Sequence, residues 1–177
     1  TTMQDICREA DLSPGAVYRY FASKEEIIAA TCQECQEHNL EHMQTATGQR
    51  KDPLEVLDLL VDSDFGWLDN PEVQDHLRMN IQLWAEALNS PQVMEVFRRD
   101  FLDIWLEALT RLVGRVQETG QLNPSLEPAS AARVLLSAYH GLVLQKAFDP
   151  GVDISKYGTV LKALYGGSFR VGDRPNH

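Results

Sequence analysis

The chain has 177 residues, with 16 lysines and arginines against 26 aspartates and glutamates, a formal net charge of -10, 44% hydrophobic and 24% charged residues. These values exclude a disordered chain and a polybasic one, leave room for one core with a lesser unit but not for two full-sized domains, and no apolar run reaches the ~18 residues of a membrane span. Three cysteines and a start without signal-peptide character argue against a secreted disulfide framework and for a cytoplasmic protein.

Helix punctuation recurs along the whole chain and no strand alternation is legible, so an all-α fold is expected. The chain begins at Thr1 rather than methionine, and further residues are expected upstream. Thr2 caps a helix over 3–10 with Asp5 at the third position, and Met3, Ile6 and Ala10 form its inner face. The turn Ala10-Asp11-Leu12-Ser13 has the length used in a helix-turn-helix, and Asp11 can adopt the left-handed conformation such a turn often requires.

The next helix, over 14–21, turns Val17 and Phe21 inward with Tyr20 at the edge, and points Gly15, Tyr18 and Arg19 away. Gly15 lets another backbone approach. The amide-rich N-terminus suits phosphate, Arg19 can donate two parallel bonds to guanine, and Tyr18 and Lys24 can reach phosphates. That surface suits the DNA major groove. Residues 1 to 30 hold three basic and five acidic side chains, so most of the acidity, which opposes phosphate binding, lies elsewhere.

Ser23 and Glu26 form a capping box that opens a helix over 24–46. Cys32, Cys35, His38 and His42 lie along it with ligand-like spacing. They extend over ~15 Å of helix axis, too far for one tetrahedral metal, and nothing nearby marks a reactive thiolate. No metal site is assigned, and a thiol or metal sensor remains a remote alternative.

Asp52-Pro53, Asn70-Pro71, Ser90-Pro91 and Glu127-Pro128 repeat one device, an oxygen-bearing cap followed by proline at the first helical position. They predict helices over 53–69, 71–88, 91–119 and 128–148, with a last helix over 155–165 and a polar tail over 168–177. On the first of these, Asp64 interrupts the stripe Leu57, Leu60, Val61, Phe65 and Leu68; it is either salt-bridged to an arginine or the partner of a cationic or hydrogen-bonding ligand. The second buries Val73, Leu77, Ile81, Trp84 and Leu88, with Asn80 at the stripe's edge; the third buries Val93, Phe97, Phe101, Ile104, Trp105, Ala108 and Leu112. The 128–148 helix is apolar nearly all round, with Leu135, Ala138, Tyr139 and Leu142 on one face and Leu136, His140, Val143, Leu144 and Ala147 on the other. One of those faces is expected to meet another subunit, with Gly141 allowing close approach and Val160, Leu161, Leu164 and Tyr165 joining it.

Residues 2–30, TMQDICREADLSPGAVYRYFASKEEIIAA, resemble the DNA-binding domain of the TetR family of bacterial repressors. The resemblance implies DNA contacts from Thr2, Ser13, Gly15, Tyr18, Arg19 and Lys24, flanked by Pro14 and Tyr20. Asp11 stands where the family usually has glycine, and the family's first helix is expected upstream. The remainder would hold a small-molecule pocket, for which Asp64, Asn80, Trp84, Phe101, Trp105 and Tyr139 are the candidates. It would dimerise through its last two helices as a four-helix bundle, with Leu136, His140, Gly141, Val143, Leu144, Leu161 and Leu164 at the interface.

The organisation expected is a DNA-binding unit with connecting helix over 1–46, an effector and dimerisation domain over 47–167 and the tail. The function expected is a ligand-responsive homodimeric repressor on a palindromic operator, its recognition helices ~34 Å apart. No catalytic residue and no cofactor are expected. The alternative is a small-molecule-binding or protein-interaction module that does not bind DNA.

Overall fold

A computed structural model describes residues 2–33, 52–68, 70, 73–154 and 156–169. The described residues are helical with no strand. The helices are α1 (Met3–Glu9), α2 (Pro14–Tyr18), α3 (24–33), α4 (Pro53–Leu68), α5 (Gln74–Asn89), α6 (Pro91–Phe97), α7 (Asp103–Glu118), α8 (Pro128–Phe148) and α9 (Tyr157–Leu164).

Local chemistry sets most helix starts. The hydroxyls of Ser13 and Ser90 accept from the amides of Ala16 (3.2 Å) and Val93 (3.4 Å), and the Glu127 carboxylate accepts from those of Ala129 (3.0 Å) and Ser130 (2.6 Å). Each is followed by the proline that needs no partner at that position. The 91–119 segment is helical throughout, but a π-helical turn over Arg98–Leu102 separates α6 from α7. That turn interrupts the regular period, and the stripe expected across the whole segment is only partly kept. Val93, Leu112, Val113 and Val116 are buried, while Phe97, Phe101, Ile104, Trp105 and Ala108 are only half-buried.

The core lies where α4, α5, α7 and α8 meet, with Leu57, Leu68, Leu77, Val113, Val116 and Val143 excluded from solvent. On α5 the inward positions are Leu77 and Ala87; Leu88, expected inside, is exposed. Two polar side chains close the loops flanking α8. The Gln117 amide donates to the carbonyls of Asn123 and Leu126, each at 2.8 Å, before it, and the buried Lys146 ammonium donates to the Val152 carbonyl at 2.7 Å after it. With that loop held, Ile154 enters the core.

Helix α9 then packs on α4. Gly158 makes the approach possible, since a Cβ there would sit 3.1 Å from Phe65 Cδ2. Lys162 pairs with Asp62 at 2.6 Å. Tyr165, expected on an outward face, is instead fully buried, and its hydroxyl donates to Asp58.

Candidate functional site

The N-terminal unit presents the first candidate surface. At the end of α1 the Asp11 amide donates to the Arg8 carbonyl (3.3 Å) and the Leu12 amide to the Cys7 carbonyl (3.0 Å), with Asp11 left-handed at φ 52°. This is a Schellman ending built without glycine. It sets α2 across α1 with Cys7 and Val17 as the buried contacts; Cys7 was not among the expected inner residues, and Ala10, which was, is exposed.

Everything around Val17 on α2 faces outward. Ser13, Pro14, Gly15, Tyr18, Arg19 and Tyr20 are exposed, and a Cβ on Gly15 would meet nothing within 4 Å. The expected groups differ in how free they are. Thr2 and Ser13 use their hydroxyls as caps: Thr2 exchanges bonds with Asp5, whose carboxyl is held down at about 2 by the Thr2 amide, the Thr2 hydroxyl and Arg8. Arg19 has no ion-pair partner among the described residues. Lys24 does not stand free for a phosphate: its Nζ lies 2.7 Å from Glu86 Oε1 of α5, and the Glu86 hydrogen bond raises its pKa.

The second candidate site lies between α4, α5 and α8. Asp64 makes no hydrogen bond or ion pair with the described residues, so none of the described arginines bridges it. Burial alone pushes its carboxyl up to about 7. Burial raises the phenol of Tyr139 of α8, and the Asp64 charge adds to the shift. His140 stacks edge-on against Trp84 of α5 with centroids 5.0 Å apart and lies 5.9 Å from the Tyr139 ring. Its Nε2 is buried without a hydrogen-bond partner among the described residues, and burial lowers its pKa. Asn80 is half-buried one turn before Trp84.

The structure brings the rings of Trp84, His140 and Tyr139 together, although the sequence places His140 at a subunit interface; Asp64 is tied to them through the effect of its charge on Tyr139. Phe101 goes elsewhere and stacks on Phe97 at 5.4 Å. Trp105 shares no ring contact with Trp84 among the described residues. Two other residues assigned to the interface, Leu136 and Val143, are buried inside the protomer. Gly141, Leu144 and Leu161 are half-buried and Leu164 is exposed. The large apolar side chains that α8 and α9 do expose are Val134, Phe148, Tyr157, Val160 and Leu164. Of the metal-like run, Cys32 is buried, and Cys35, His38 and His42 lie outside the described residues. The described residues contain no cluster that could hold a metal and no helix long and apolar enough to cross a membrane.

Residues 1–31 match the bacterial regulatory proteins of the tetR family, and residues 53–163 match the C-terminal domain of BetI-type transcriptional repressors. The chain is 24% identical over 169 residues to the HTH-type transcriptional regulator UidR of Escherichia coli (strain K12), covering 94% of this chain and 81% of that one. Its fold is similar to that of a putative transcriptional regulator from Saccharomonospora viridis solved in complex with choline, with a TM-score of 0.80 at 18% identity over 96% of this chain and 87% of that one. Salmonella enterica GusR is similar at a TM-score of 0.70 and 27% identity, covering 93% of this chain and 84% of that one. Two matches that together take in both the helix-turn-helix and the helical body leave one conclusion: the chain belongs to the TetR family of DNA-binding, ligand-responsive transcriptional regulators.

Proposed function

We propose that this non-enzymatic regulator acts in the cytoplasm as a homodimeric repressor, released from a palindromic operator by a small molecule. The observation that carries the reading is the exposure of one continuous set, Ser13, Pro14, Gly15, Tyr18, Arg19 and Tyr20, around a helix held only by Val17. None of the described residues covers them, and an arginine without an ion-pair partner among the described residues, beside an open glycine, is the chemistry that reads guanine in a major groove. In this reading residues 1–46 form the DNA-reading unit and 47–167 the effector and dimerisation unit. Thr2 then serves α1 as a cap more than it serves DNA, and Lys24 reaches a phosphate only when its bond to Glu86 opens.

The dimer is formed through α8 and α9. Val134, Phe148, Val160 and Leu164 support that assignment because four large apolar side chains exposed on two helices cost free energy until covered. Gly141 and the half-buried Leu144 and Leu161 stay in the proposed interface, while Leu136, His140 and Val143 leave it.

The effector site is the group Asp64, Trp84, Tyr139 and His140, with Asn80 at its rim. Helix α5 joins it to the DNA-reading unit, because Trp84 and Glu86 are two residues apart and Glu86 holds Lys24. A ligand that displaces Trp84 shifts Glu86 and with it the start of α3, favouring a protomer arrangement in which the two α2 helices no longer match successive grooves. Selection of genomic fragments by the intact protein, followed by a salt titration on the best fragment, tests this reading. Enrichment of a palindrome whose affinity falls steeply with salt is expected; absence of any enriched fragment at low salt would remove the repressor assignment.

A further inference from the structure

We propose that Glu86 of α5 competes with DNA for Lys24, so that the helical body holds back one phosphate contact in the DNA-free protein and the ion pair opens when α2 docks on any duplex. This rests on the reading of the N-terminal unit as the part that binds DNA.

Lys24 does little for its own helix. It stands in the first turn of α3, just after Ser23, whose hydroxyl accepts from the Glu26 amide at 3.3 Å. A cation there opposes the partial positive charge of a helix N-terminus. Glu26 suits that end better, and its carboxylate reaches back to the Ala22 amide at 2.6 Å. The use of Lys24 therefore lies outside α3. Within the protein it is Glu86 Oε1, at 2.7 Å and 62 positions away; on DNA it is a phosphate. The two anions exclude each other, because a phosphate brought onto the ammonium would also stand within reach of the Glu86 carboxylate and be repelled by it.

The exposure of the pair makes it a competitor and not a fixture. The Lys24 and Glu86 side chains are 23% and 34% exposed. A fully buried pair would be too costly to open, since each charge would be left without water. A fully exposed pair would contribute next to nothing. Here both charges regain water on parting, so opening costs a few-fold in equilibrium, which a phosphate contact can offset.

The body restrains this phosphate contact and leaves the base-reading surface alone. Gly15, Tyr18 and Arg19 are exposed, and Arg19 has no ion-pair partner among the described residues. Phosphate contacts carry no sequence information of their own. The effect of Glu86 is therefore the same on every sequence, and the ratio between operator and unrelated DNA does not depend on it.

The test is fluorescence anisotropy of the intact protein, without effector, over a range of salt. The two duplexes are the operator fragment recovered by genomic selection and a random sequence of equal length. Glu86→Gln is expected to bind both about three- to tenfold more tightly than the unsubstituted protein at about 0.1 M salt. Asp75→Asn removes the same charge from the other end of α5, where the side chain is 93% exposed, and is expected to change binding by less than about twofold. In a Lys24→Gln background the gain from Glu86→Gln should disappear, and the double variant should show a salt slope lower by about one than Glu86→Gln alone. Glutamine keeps the shape of glutamate at a partly exposed position, and a cooperative urea transition establishes that each variant is folded.

Unchanged binding by Glu86→Gln would overturn the proposal. So would weaker binding, which would make the pair a strut that orients the unit for DNA. An equal gain in the Lys24→Gln background or in Asp75→Asn would reduce it to a general charge effect and overturn it as well. An operator complex of the unsubstituted protein that Glu86→Gln leaves unaltered removes this inference alone; absence of any complex with either protein at low salt removes the repressor reading and this inference with it.

Discussion

Lys24 of α3 and Glu86 of α5, 62 positions apart in the chain, meet at 2.7 Å with both side chains partly withdrawn from solvent. The contact joins the unit that carries α2 to the helix that carries Trp84.

Removing that charge pair should affect regulation more than folding. A partly exposed ion pair contributes only about 0.5–1 kcal/mol, so Glu86→Gln is expected to lower the urea midpoint slightly. The ratio of operator affinities with and without effector should fall by severalfold, while effector affinity of the free protein stays the same. Fluorescence anisotropy on operator DNA measures that ratio, and an unchanged ratio would show that the pair carries no coupling.

Asp64 should make the protein less stable as pH rises. Its carboxyl titrates at about 7 when folded and at the ordinary carboxylate value of 3.8 when unfolded. Between those values the folded state holds the proton that the unfolded state has lost, so stability declines through this window and the loss is complete above pH 7. The penalty at pH 8 is about 2–4 kcal/mol. Asp64→Asn is expected to recover most of it at pH 8 and little at pH 4, as read by urea unfolding at both values. Equal gains at the two pH values would mean that ionisation is not the cause.

Gly158 and Gly114 should respond to alanine in opposite directions. At Gly158 the new Cβ meets Phe65 Cδ2 at 3.1 Å, with Val61 Cγ1 at 3.7 Å behind it, and Phe65 is buried and has little space to retreat. Crowding costs about 1–2 kcal/mol, more than the gain in helix propensity. At Gly114, inside α7, nothing lies within 4 Å, so alanine should stabilise by roughly 0.5–1 kcal/mol. Thermal unfolding of the two variants gives the signs directly.

Arg19→Ala should cost about 1–3 kcal/mol on the specific operator and relax its sequence preference, because a bidentate contact to guanine is lost. Binding to unrelated DNA should weaken much less. If the discrimination ratio in competition assays is unchanged, Arg19 does not face a base.

The sequence by itself determined the helices and the surface of the N-terminal unit. Caps at Thr2, Ser13, Ser90 and Glu127 and the left-handed turn at Asp11 involve residues within a few positions of each other, so their chemistry is complete in a short stretch. The same holds for the open face of α2, where Val17 is the only buried position. Asp64 also stood out, because a carboxylate in an apolar stripe is anomalous wherever the stripe packs. Tertiary structure decided the rest. On α8 both faces are apolar, and no periodicity says that Leu136, His140 and Val143 turn inward while Val134 and Phe148 turn outward. The π-helical turn at Arg98–Leu102 interrupted a regular stripe, and Lys24 and Tyr165 found partners in Glu86 and Asp58 far along the chain. Such choices depend on which neighbour fills the space, and that is settled only when the helices pack.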